Sequence, residues 1–542
     1  MTSREPTSAA AAAARREGPS MLDPIGDRTM IHLLDEQVEV DGDRTFLVFE
    51  NAAQEVSELT YAAFRSEVED CARGLACLGV GHGDFVVLHL RNSPEFLIAW
   101  FAMARLGAVL VPSNIANTAG ELEHLIGFSR ATVVITEPSL IEPVELAAAA
   151  VEHDPQIVVA RGEAPGHRTL ADVLAAGVDV PDVHVSSNDL AQLIFTSGTT
   201  RKPKAVMLTH AICLRSGLDS VHCLWLDRGE RCLTALPLFH VNAQALSVFA
   251  AMTVGGTLIV IEEFRASRFW AQVRDHRATQ TAIVAMQLRT MLAQPVDPAE
   301  SAHVLRRVFY AINVTDAEKE EFEARFRVDL INGYGLSEAM TLLAVAPVAG
   351  PRRWPSIGLA SPGRRLELVD EHGNEVPQGE VGEITVRGTP GRDIMLGYYR
   401  DEESTAAALR DGRLHTGDNA YADPEGYLYF FDRKKDMIKR AGENVSAMEV
   451  ESALAEHPGV AEACVVGIPD PIRDEAVAAV VVPTSPGSVT EAEILEHCRA
   501  RLSKFKVPTV VRFIDELPKT SIGKIRKDEV RKGLADVEVP TR

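Results

Sequence analysis

Short apolar runs rich in β-branched residues alternate with longer stretches of helical periodicity from about residue 46 to residue 345. The clearest runs lie at 85–88, 131–135, 192–195 and 257–260. Runs of this length predict buried strands, and the stretches between them predict helices. Because strands and helices alternate along the chain, we expect mainly parallel sheets that are covered by helices.

The most apolar helical stretch, residues 96–111, is interrupted by Arg105 and Gly107. A membrane-spanning helix needs about 20 predominantly apolar residues. The stretch is therefore predicted to be a buried helix that leads into a strand, and no membrane span is expected.

The pattern changes twice in the second half of the chain. From Ser356 onwards, short strands punctuated by glycine, such as residues 382–388, predict a small barrel or meander. After the charged run at 432–436, the pattern becomes that of a compact α+β unit with strands at 463–466 and 477–482. We predict an α/β multidomain protein with a disordered tail at 1–20, an N-terminal domain at 21–434 and a C-terminal domain at 435–542.

Composition and charge narrow the class of protein. Of the 542 residues, 46% are hydrophobic and 24% are charged, which is typical of a soluble α/β protein. The net charge of -22 argues against nucleic acid and anionic lipid as partners, because they require a basic surface. The 7 cysteines form no Cys-x-x-Cys pair, so neither a zinc cage nor a disulfide framework is predicted. The alanine run at 9–14 comes before Arg15 and Arg16, which reverses the charged-then-apolar order of a signal peptide. Together with thiols that we interpret as reduced, this indicates a cytoplasmic protein.

The strongest local motif lies at 195–204, where the sequence reads FTSGTTRKPK between two apolar runs. Small hydroxyl residues around a glycine can surround phosphate oxygens with N–H and O–H donors, while Lys202 and Lys204 supply positive charge. The spacing differs from the G-x-x-x-x-G-K-[ST] phosphate loop. A plain turn remains the alternative interpretation.

A second motif, NGYGLSE, occupies residues 332–338. Its glycines allow a ligand to approach the backbone, and Tyr334 offers an aromatic face for stacking. Glu338 offers the hard oxygen atoms that Mg²⁺ prefers. The alternative is a turn after a strand with an exposed glutamate.

Two further segments place one charged residue beside a glycine. At 415–418, Asp418 follows Gly417 and can accept hydrogen bonds from both hydroxyls of a ribose, although a surface Asx turn gives the same pattern. At 518–525, Lys524 follows Gly523 in a polar loop, and a solvated lysine is the alternative.

Taken in this order and at this spacing, the segments resemble the adenylate-forming superfamily of acyl-CoA synthetases, firefly luciferases and peptide-synthetase adenylation domains. The resemblance extends from about residue 30 to residue 530. The segments 432–446 and 472–476 look most like those of crotonobetaine/carnitine-CoA ligases and their relatives. This resemblance implies a large N-terminal domain of two α/β lobes and a β-barrel lobe, a hinge, and a small mobile α+β C-terminal domain.

The resemblance also implies a nucleotide site. The ATP β- and γ-phosphates would be held by Thr196, Ser197, Gly198, Thr199, Thr200 and Lys204. The adenine site would consist of Asn332, Gly333 and Tyr334, and Ser337 would contact the α-phosphate. Glu338 would ligate Mg²⁺, Asp418 and Arg433 would bind the ribose, Lys435 would be the hinge, and Lys524 would bridge the substrate carboxylate and the α-phosphate.

For the other two substrates the implied residues are fewer. His240 matches a position that lines the acyl tunnel and is counted with Lys524 and Glu338 as catalytic, although a buried core histidine is an equal alternative. The acyl pocket would be lined by His240, Ala243, Val284, Met286, Ala311 and Ala339. Apart from His240, these residues are small or apolar, and they permit a sizeable hydrophobic acyl group. Coenzyme A would meet Gly442, Phe505 and Lys506.

Two segments depart from the family pattern. Arg201 and Ala205 stand where the phosphate loop usually carries glycine, and a positive φ at Arg201 would be strained. Residues 311–314, AINV, replace an adenine-side turn that usually contains glycine and proline, which makes both the acyl pocket floor and the adenine edge atypical.

The implied reaction has two steps. A carboxylic acid and ATP give an acyl-adenylate and pyrophosphate, and the thiol of coenzyme A then displaces AMP. ATP and coenzyme A are co-substrates, and Mg²⁺ is the implied cofactor. A carrier-protein phosphopantetheine is the alternative acceptor, and a non-catalytic nucleotide- or acyl-binding protein is a second alternative, suggested by Arg201 and Ala205. The sequence leaves open the identity of the acid and a homodimer.

Overall fold

The computed structural model of the chain describes residues 23–196, 203–311, 314–433, 436–440, 443–470, 474–502, 504–519, 525–535 and 537. The tail proposed at 1–20 and the proposed hinge Lys435 lie outside these residues. Within the described ranges, no helix combines the length and the apolar character needed to cross a membrane.

The described helices and strands follow the predicted alternation. The helices are α1 (Met30–Asp41), α2 (Tyr61–Cys77), α3 (Pro94–Leu106), α4 (Ala119–Ser129), α5 (Ile141–Ala150), α6 (Leu170–Ala175), α7 (His210–Leu224), α8 (Val241–Ala243), α9 (Ala250–Val254), α10 (Ala266–Asp275), α11 (Ala285–Leu292), α12 (Asp316–Phe326), α13 (Glu402–Ala408), α14 (Ala447–Ala455), α15 (Glu491–Arg501) and α16 (Lys527–Gly533). Two 3₁₀ helices lie at Pro138–Leu140 and Ser337–Ala339, and a π-helix at Gln244–Phe249 joins α8 to α9.

The strands of the two α/β lobes come first along the chain. They are β1 (Thr45–Glu50), β2 (Val56–Thr60), β3 (Phe85–His89), β4 (Val109–Pro112), β5 (Val133–Thr136), β6 (Gln156–Val159), β7 (Arg168–Thr169), β8 (Leu190–Thr196), β9 (Lys204–Thr209), β10 (Arg231–Thr234), β11 (Thr257–Ile261), β12 (Gln280–Val284), β13 (Arg307–Ala311), β14 (Asp329–Leu336), β15 (Thr341–Val345) and β16 (Leu359–Ala360). The remaining strands are β17 (Arg365–Val369), β18 (Gly382–Arg387), β19 (Gly397–Tyr398), β20 (Leu409–Arg410), β21 (Arg413–Ala422), β22 (Leu428–Arg433), β23 (Ile438–Arg440), β24 (Glu443–Val445), β25 (Val460–Asp470), β26 (Asp474–Pro483) and β27 (Val510–Phe513).

Two large sheets form the α/β lobes. One has the order β16-β15-β14-β13-β12-β10-β11-β1-β2, and the other has the order β19-β9-β8-β4-β3-β5-β6-β7. Their central pairs are parallel, including β12 with β13, β13 with β14, and β3 with β4. Between the lobes, the helices contribute a shared apolar core in which the rings of Trp100 and Phe249 lie 5.3 Å apart. The expectation of mainly parallel sheets under helices is confirmed, and the apolar stretch at 96–111 forms α3 and enters β4.

The region after Ser356 is antiparallel, as its glycine-punctuated strands predict. Strands β17, β18, β21 and β20 are neighbours, and β22 pairs with β21. The C-terminal sheet has the order β24-β23-β26-β25, with β27 parallel to β26. Its two long strands exceed the predicted spans because β25 and β26 stay paired as far as Asp470 and Asp474.

A buried cluster of charges fixes the antiparallel lobe to α7. The Arg364 guanidinium lies 2.8 Å from Asp219 Oδ2, and Arg215 Nε donates to Asp219 Oδ1 at 2.9 Å. Arg215 also lies 3.2 Å from Asp393 Oδ1. The Asp219 side chain is 0% exposed and that of Arg364 is 1% exposed, so this ion pair is shielded from water. It holds the segment that leads from Asp393 into β19.

All 7 cysteines are free, as their spacing predicts. Cys77 is half-buried and the other six are buried. Burial raises the pKa of the Cys71 thiol to about 12 and that of Cys498 to about 11.

Candidate active site

The carboxyl ends of β10, β12, β13 and β14 form one edge of the nine-stranded sheet, because these strands are parallel. Ligands of open α/β sheets bind in the crevice at such an edge. The predicted residues Val284, Ala311 and Tyr334 lie at or near these ends. The sheet therefore gathers residues that are far apart in the chain.

Tyr334 and Asp418 meet although they are 84 residues apart. The Tyr334 hydroxyl donates to Asp418 Oδ2 at 2.7 Å, and both side chains are buried. Asp418 follows Gly417, whose φ of 73° lies in the left-handed region that favours glycine. Asp418 itself belongs to β21 rather than to a surface Asx turn. The contact joins the predicted adenine and ribose residues.

Gly333 is required by close packing. A Cβ atom here would lie 2.5 Å from the Phe309 ring and 3.0 Å from the Ala344 carbonyl oxygen. Any side chain would therefore push β14 away from its neighbours. Beside it, the Asn332 amide donates to the Ser356 carbonyl at 2.9 Å and ties β14 to the antiparallel lobe.

Glu338 lies in the 3₁₀ helix that follows β14, together with Ser337 and Ala339. Its carboxylate accepts a hydrogen bond from the Tyr398 hydroxyl at 2.9 Å, and its carbonyl accepts from the Met395 N–H at 2.6 Å. Glu338 is half-buried, so the alternative of an exposed glutamate in a turn is wrong. Burial, and then the charge of Glu338, raise the pKa of Tyr398, which keeps its hydroxyl a donor.

Lys204 lies over the ring of Tyr398. Its ammonium group is 4.8 Å from the centroid of the Tyr398 ring, which is cation–π geometry. Lys204 and Thr196 are paired across β8 and β9, where they flank the proposed phosphate loop. The loop residues Ser197, Gly198, Thr199, Thr200 and Arg201 lie outside the described residues.

Ala205, the second residue that departs from the family pattern of the phosphate loop, lies in the regular strand β9. It is 1% exposed and pairs with Phe195 in the antiparallel ladder between β8 and β9. A methyl group is thus accommodated in the core at this position. Of the other atypical segment, Ile312 and Asn313 lie outside the described residues.

Two of the proposed acyl residues, His240 and Ala243, lie at α8. His240 is the residue before this helix, and its ring lies 4.7 Å from that of Phe239. Ala243 and Ala339 are fully buried, while Val284 and Ala311 are half-buried neighbours on β12 and β13. Met286 differs from these residues because it is 46% exposed.

The residues proposed for coenzyme A lie on the C-terminal unit. Phe505 is 36% exposed, and Lys506 pairs with Glu449 at 2.6 Å. Arg440 donates to the Phe505 carbonyl at 2.7 Å and holds this turn against β23. Gly442, Lys435 and Lys524 lie outside the described residues, as does the side chain of Arg433, whose backbone pairs with Asp418.

Sequence reasoning missed Tyr398, the partner of Glu338. Tyr398 lies 60 residues beyond the glutamate, and no spacing rule connects them. The signal that was available is the run of Gly397 and two tyrosines before the polar segment 400–403. A glycine followed by aromatic residues indicates a close backbone approach with a ring beside it.

Two family comparisons cover most of the chain. Residues 34–399 match the family described as AMP-binding enzyme. Residues 449–524 match the family described as AMP-binding enzyme C-terminal domain.

Individual proteins match over nearly their full length. The chain is 36% identical to a crotonobetaine/carnitine–CoA ligase of Proteus mirabilis over 94% of this chain and 100% of the relative. The fold is similar to that of ATP-bound MatB from Rhodopseudomonas palustris, with a TM-score of 0.83 and 28% identity over 93% of this chain and 99% of that one. It is also similar to the anthranilate CoA ligase AuaEII in complex with anthranoyl-AMP, with a TM-score of 0.84 and 26% identity over 94% and 97% of the two chains.

Proposed function

The chain belongs to the AMP-binding enzyme family, and we infer from this that it is an ATP-dependent acyl-CoA synthetase. The enzyme first forms an acyl-adenylate from a carboxylic acid and ATP, with release of pyrophosphate. It then transfers the acyl group to coenzyme A, with release of AMP. One observation carries the nucleotide chemistry: segments distant in the chain supply a partner to each end of residues 334–338, Asp418 of the antiparallel lobe to Tyr334 and Tyr398 of β19 to Glu338.

In our proposal Asp418 and Tyr334 hold the nucleoside. A carboxylate that already accepts one hydrogen bond from a fixed tyrosine keeps further lone pairs for the two ribose hydroxyls. Its burial strengthens these bonds, since little water competes for them. Asn332 and Gly333 form the adenine side, where the absence of a side chain at Gly333 allows the strand to stay close to its neighbours.

Glu338 is the proposed ligand of Mg²⁺. This ion is usually held by one or two carboxylates together with the phosphates of a substrate. No cluster of three His, Cys, Asp or Glu side chains suited to a metal occurs in the described part of the chain. When bound, the ion would help to neutralise charge on the phosphates. Tyr398 fixes the carboxylate orientation for this role.

Adenylation in this scheme depends on positioning and charge neutralisation. The acid carboxylate attacks the α-phosphorus and pyrophosphate leaves, so negative charge accumulates around the phosphates. Lys204 lies over the ring of Tyr398, the partner of Glu338, and its ammonium group can bind the β- and γ-phosphates. Lys524 and the loop residues 197–200 are proposed on the family pattern to complete the electrostatic stabilisation.

Thioester formation is assigned to the C-terminal unit. Gly442, Phe505 and Lys506 are the proposed contacts of coenzyme A, and Lys435 is the proposed hinge. Between the two steps, rotation about this hinge would move Lys524 out of the site and open the entrance for the thiol of coenzyme A. The free cysteines support our proposal of a cytoplasmic, reducing location.

We propose an apolar, uncharged acyl group as the substrate class. The six residues proposed for the pocket include no carboxylate that could neutralise a cation, and the alanines leave room for a ring or an alkyl chain. A quaternary ammonium group would be recognised by aromatic or acidic side chains. The name of the Proteus mirabilis relative, crotonobetaine/carnitine–CoA ligase, makes that cation the competing candidate.

Acid-dependent exchange of labelled pyrophosphate into ATP tests the activity and the substrate together. The panel consists of benzoate, anthranilate, butanoate, octanoate, crotonobetaine and carnitine. We expect exchange with the apolar acids and thioester formation when free coenzyme A is added. Thioester formation only on a phosphopantetheinylated carrier protein would show that the carrier, and not free coenzyme A, is the acceptor. ATP binding without any exchange would show that the protein binds nucleotide but does not catalyse adenylation.

A further inference from the structure

Two fully buried glutamines form a line of hydrogen bonds that ends at the acyl segment, residues 238–243. Gln244 Nε2 donates to the Leu238 carbonyl at 2.9 Å. Gln192 Nε2 donates to Gln244 Oε1 at 3.0 Å. Both side chains are 0% exposed. Such a line in the core is a feature that packing alone does not require, because apolar residues of similar size would also fill the space.

The direction of these bonds is fixed by the backbone. The Leu238 carbonyl is an acceptor, so Gln244 must present its NH₂ group to it. Gln244 then presents Oε1 to Gln192, which must in turn present its own NH₂ group. The two amides therefore have one consistent orientation, and neither can flip alone without bringing like groups together.

The line connects three parts of the proposed site. Gln192 lies on β8, four residues before Thr196 and on the same face of the strand. Gln244 begins the π-helix after His240, and such helices often occur at functional sites. Gln192 Nε2 also lies 3.4 Å from Met340 Sδ, directly after the 3₁₀ helix that carries Glu338.

The acyl segment is held on its other side as well. The Leu238 N–H donates to Asn92 Oδ1 at 2.8 Å, so both polar groups of this residue are bonded to side-chain amides. His240 follows two residues later, and its carbonyl accepts from the Gln244 N–H at 3.3 Å. The position of His240 thus depends on Gln244 through both the side chain and the main chain.

The arrangement costs stability. Gln192 Oε1 is buried and has no hydrogen-bond partner among the described residues. Burial of an unsatisfied carbonyl oxygen is unfavourable, which sets a cost against the hydrogen bond that Gln192 donates to Gln244.

We propose that Gln192 and Gln244 are a positioning pair that sets the acyl segment relative to the phosphate strand β8 and the Glu338 helix. The inference rests on the proposed function, since it assigns the acid to the His240 side of the site. Loosening the pair moves His240 and the pocket wall, whereas the Tyr334–Asp418 contact lies on other strands. Binding of the acid should therefore suffer more than binding of ATP.

The test uses Gln192→Met and Gln244→Met, which keep side-chain length but remove the amides. For the panel acid with the highest kcat/KM, each variant is expected to raise the KM for the acid roughly tenfold, with the KM for ATP changed less than about twofold. The double variant should match the single variants, because they break one unit. In a His240→Ala background, Gln244→Met should add little to the KM for the acid.

Gln280→Met is the matched control. Gln280 is a fully buried glutamine at the amino end of β12, away from the site edge, so its loss should alter thermal stability without altering the KM for the acid. Gln192→Asn, which keeps an amide on a shorter arm, replaces Gln192→Met if that variant does not fold.

Two results would overturn the inference. Equal changes in both KM values, or an unchanged KM for the acid in folded Gln192 and Gln244 variants, would make the pair ordinary core. Wild-type protein that shows no exchange with any acid would overturn the proposed function first, and this inference with it.

Discussion

At the scale of single residues, Asp418 offers the most direct test of the nucleotide site. Asp418→Ala removes the acceptor of the Tyr334 hydroxyl and the proposed acceptor of the ribose hydroxyls. We expect ATP affinity to fall by roughly 1–3 kcal/mol, because a charged acceptor is lost in a buried cleft. Calorimetric titration with ATP measures the change.

Tyr334→Phe is the control for this prediction. It removes the same intramolecular bond but leaves the carboxylate, so its effect on ATP affinity should be the smaller one. A folded Asp418→Ala protein that binds ATP as tightly as the wild type would contradict the ribose assignment.

Tyr398 is the residue that orients Glu338. Tyr398→Phe deletes one hydroxyl and leaves the ring under Lys204. A hydrogen bond to a charged group contributes about 1.5–3 kcal/mol, so pyrophosphate exchange should slow by roughly tenfold or more and need a higher Mg²⁺ concentration. Exchange is measured as a function of Mg²⁺, and an unchanged Mg²⁺ dependence would mean that Tyr398 does not serve the metal.

The residues that the sequence could and could not predict differ in one physical respect. Short segments in which glycines stand beside polar groups predict a ligand site, and such segments contain Tyr334, Glu338 and Asp418. Tyr398 and Gln192 act through contacts with residues 60 and 148 positions away. Such contacts depend on the packing of whole lobes, and no local pattern encodes them.

At the scale of elements, the charge cluster between α7 and the antiparallel lobe should be a point of stability. Asp219→Asn leaves Arg215 and Arg364 buried without their shared carboxylate. Breaking a buried ion pair by removing one partner typically costs about 3–5 kcal/mol. Urea unfolding should detect this loss.

An exposed pair provides the comparison. Glu456 and Arg501 lie 2.7 Å apart with side chains 55% and 43% exposed, so Glu456→Gln should cost only about 0–1 kcal/mol. Similar losses for the two variants would show that the Asp219 network is not a stabilising anchor.

Helix α7 also introduces pH dependence through its first residue, His210. Burial lowers the pKa of this imidazole to about 4, against a partial opposing effect of Asp189. The unfolded chain takes up a proton near pH 6.5 and the folded chain does not, so stability is full above that pH and declines as the pH falls towards 4.

The loss for one such group is about 1.4 kcal/mol for each pH unit in this window. In urea unfolding at pH 7 and pH 5, His210→Gln should lose less stability than the wild type. Equal pH dependence in the two proteins would exclude His210 as a source.

Strand positions were the most predictable part of the fold, because apolar runs such as those of β3 and β11 are long enough to be read locally. The extents of β25 and β26 were less predictable. Their outer residues, such as Asp470 and Asp474, are polar, and only the hairpin pairing places them in strands.

At the scale of the whole molecule, the role proposed for Lys524 distinguishes the two half-reactions. It lies outside the described residues, but α16 begins three residues later and is firmly attached. Lys527 pairs with Glu451 at 2.9 Å, and Arg531 pairs with Asp436, next to the proposed hinge, at 2.9 Å. The helix after Lys524 should therefore move together with the C-terminal unit.

Lys524→Ala is expected to slow acyl-adenylate formation by about a hundredfold or more, because a preorganised positive charge is lost. With synthetic acyl-adenylate and coenzyme A, the same protein should retain most of its thioester formation. Parallel loss of both steps in a folded variant would argue against domain alternation, and normal adenylation would make Lys524 a solvated lysine.

The burial of the cysteines has a chemical consequence for an enzyme of this kind. An acyl-adenylate reacts with any accessible thiolate, so the protein's own thiols are potential sites of self-acylation. Six of the seven are buried. Burial also raises their pKa, as for Cys71 and Cys498, which keeps these sulfur atoms protonated and weakly nucleophilic. Burial of these six thiols thus favours reaction of the acyl-adenylate with the thiol of coenzyme A over reaction with the protein's own cysteines.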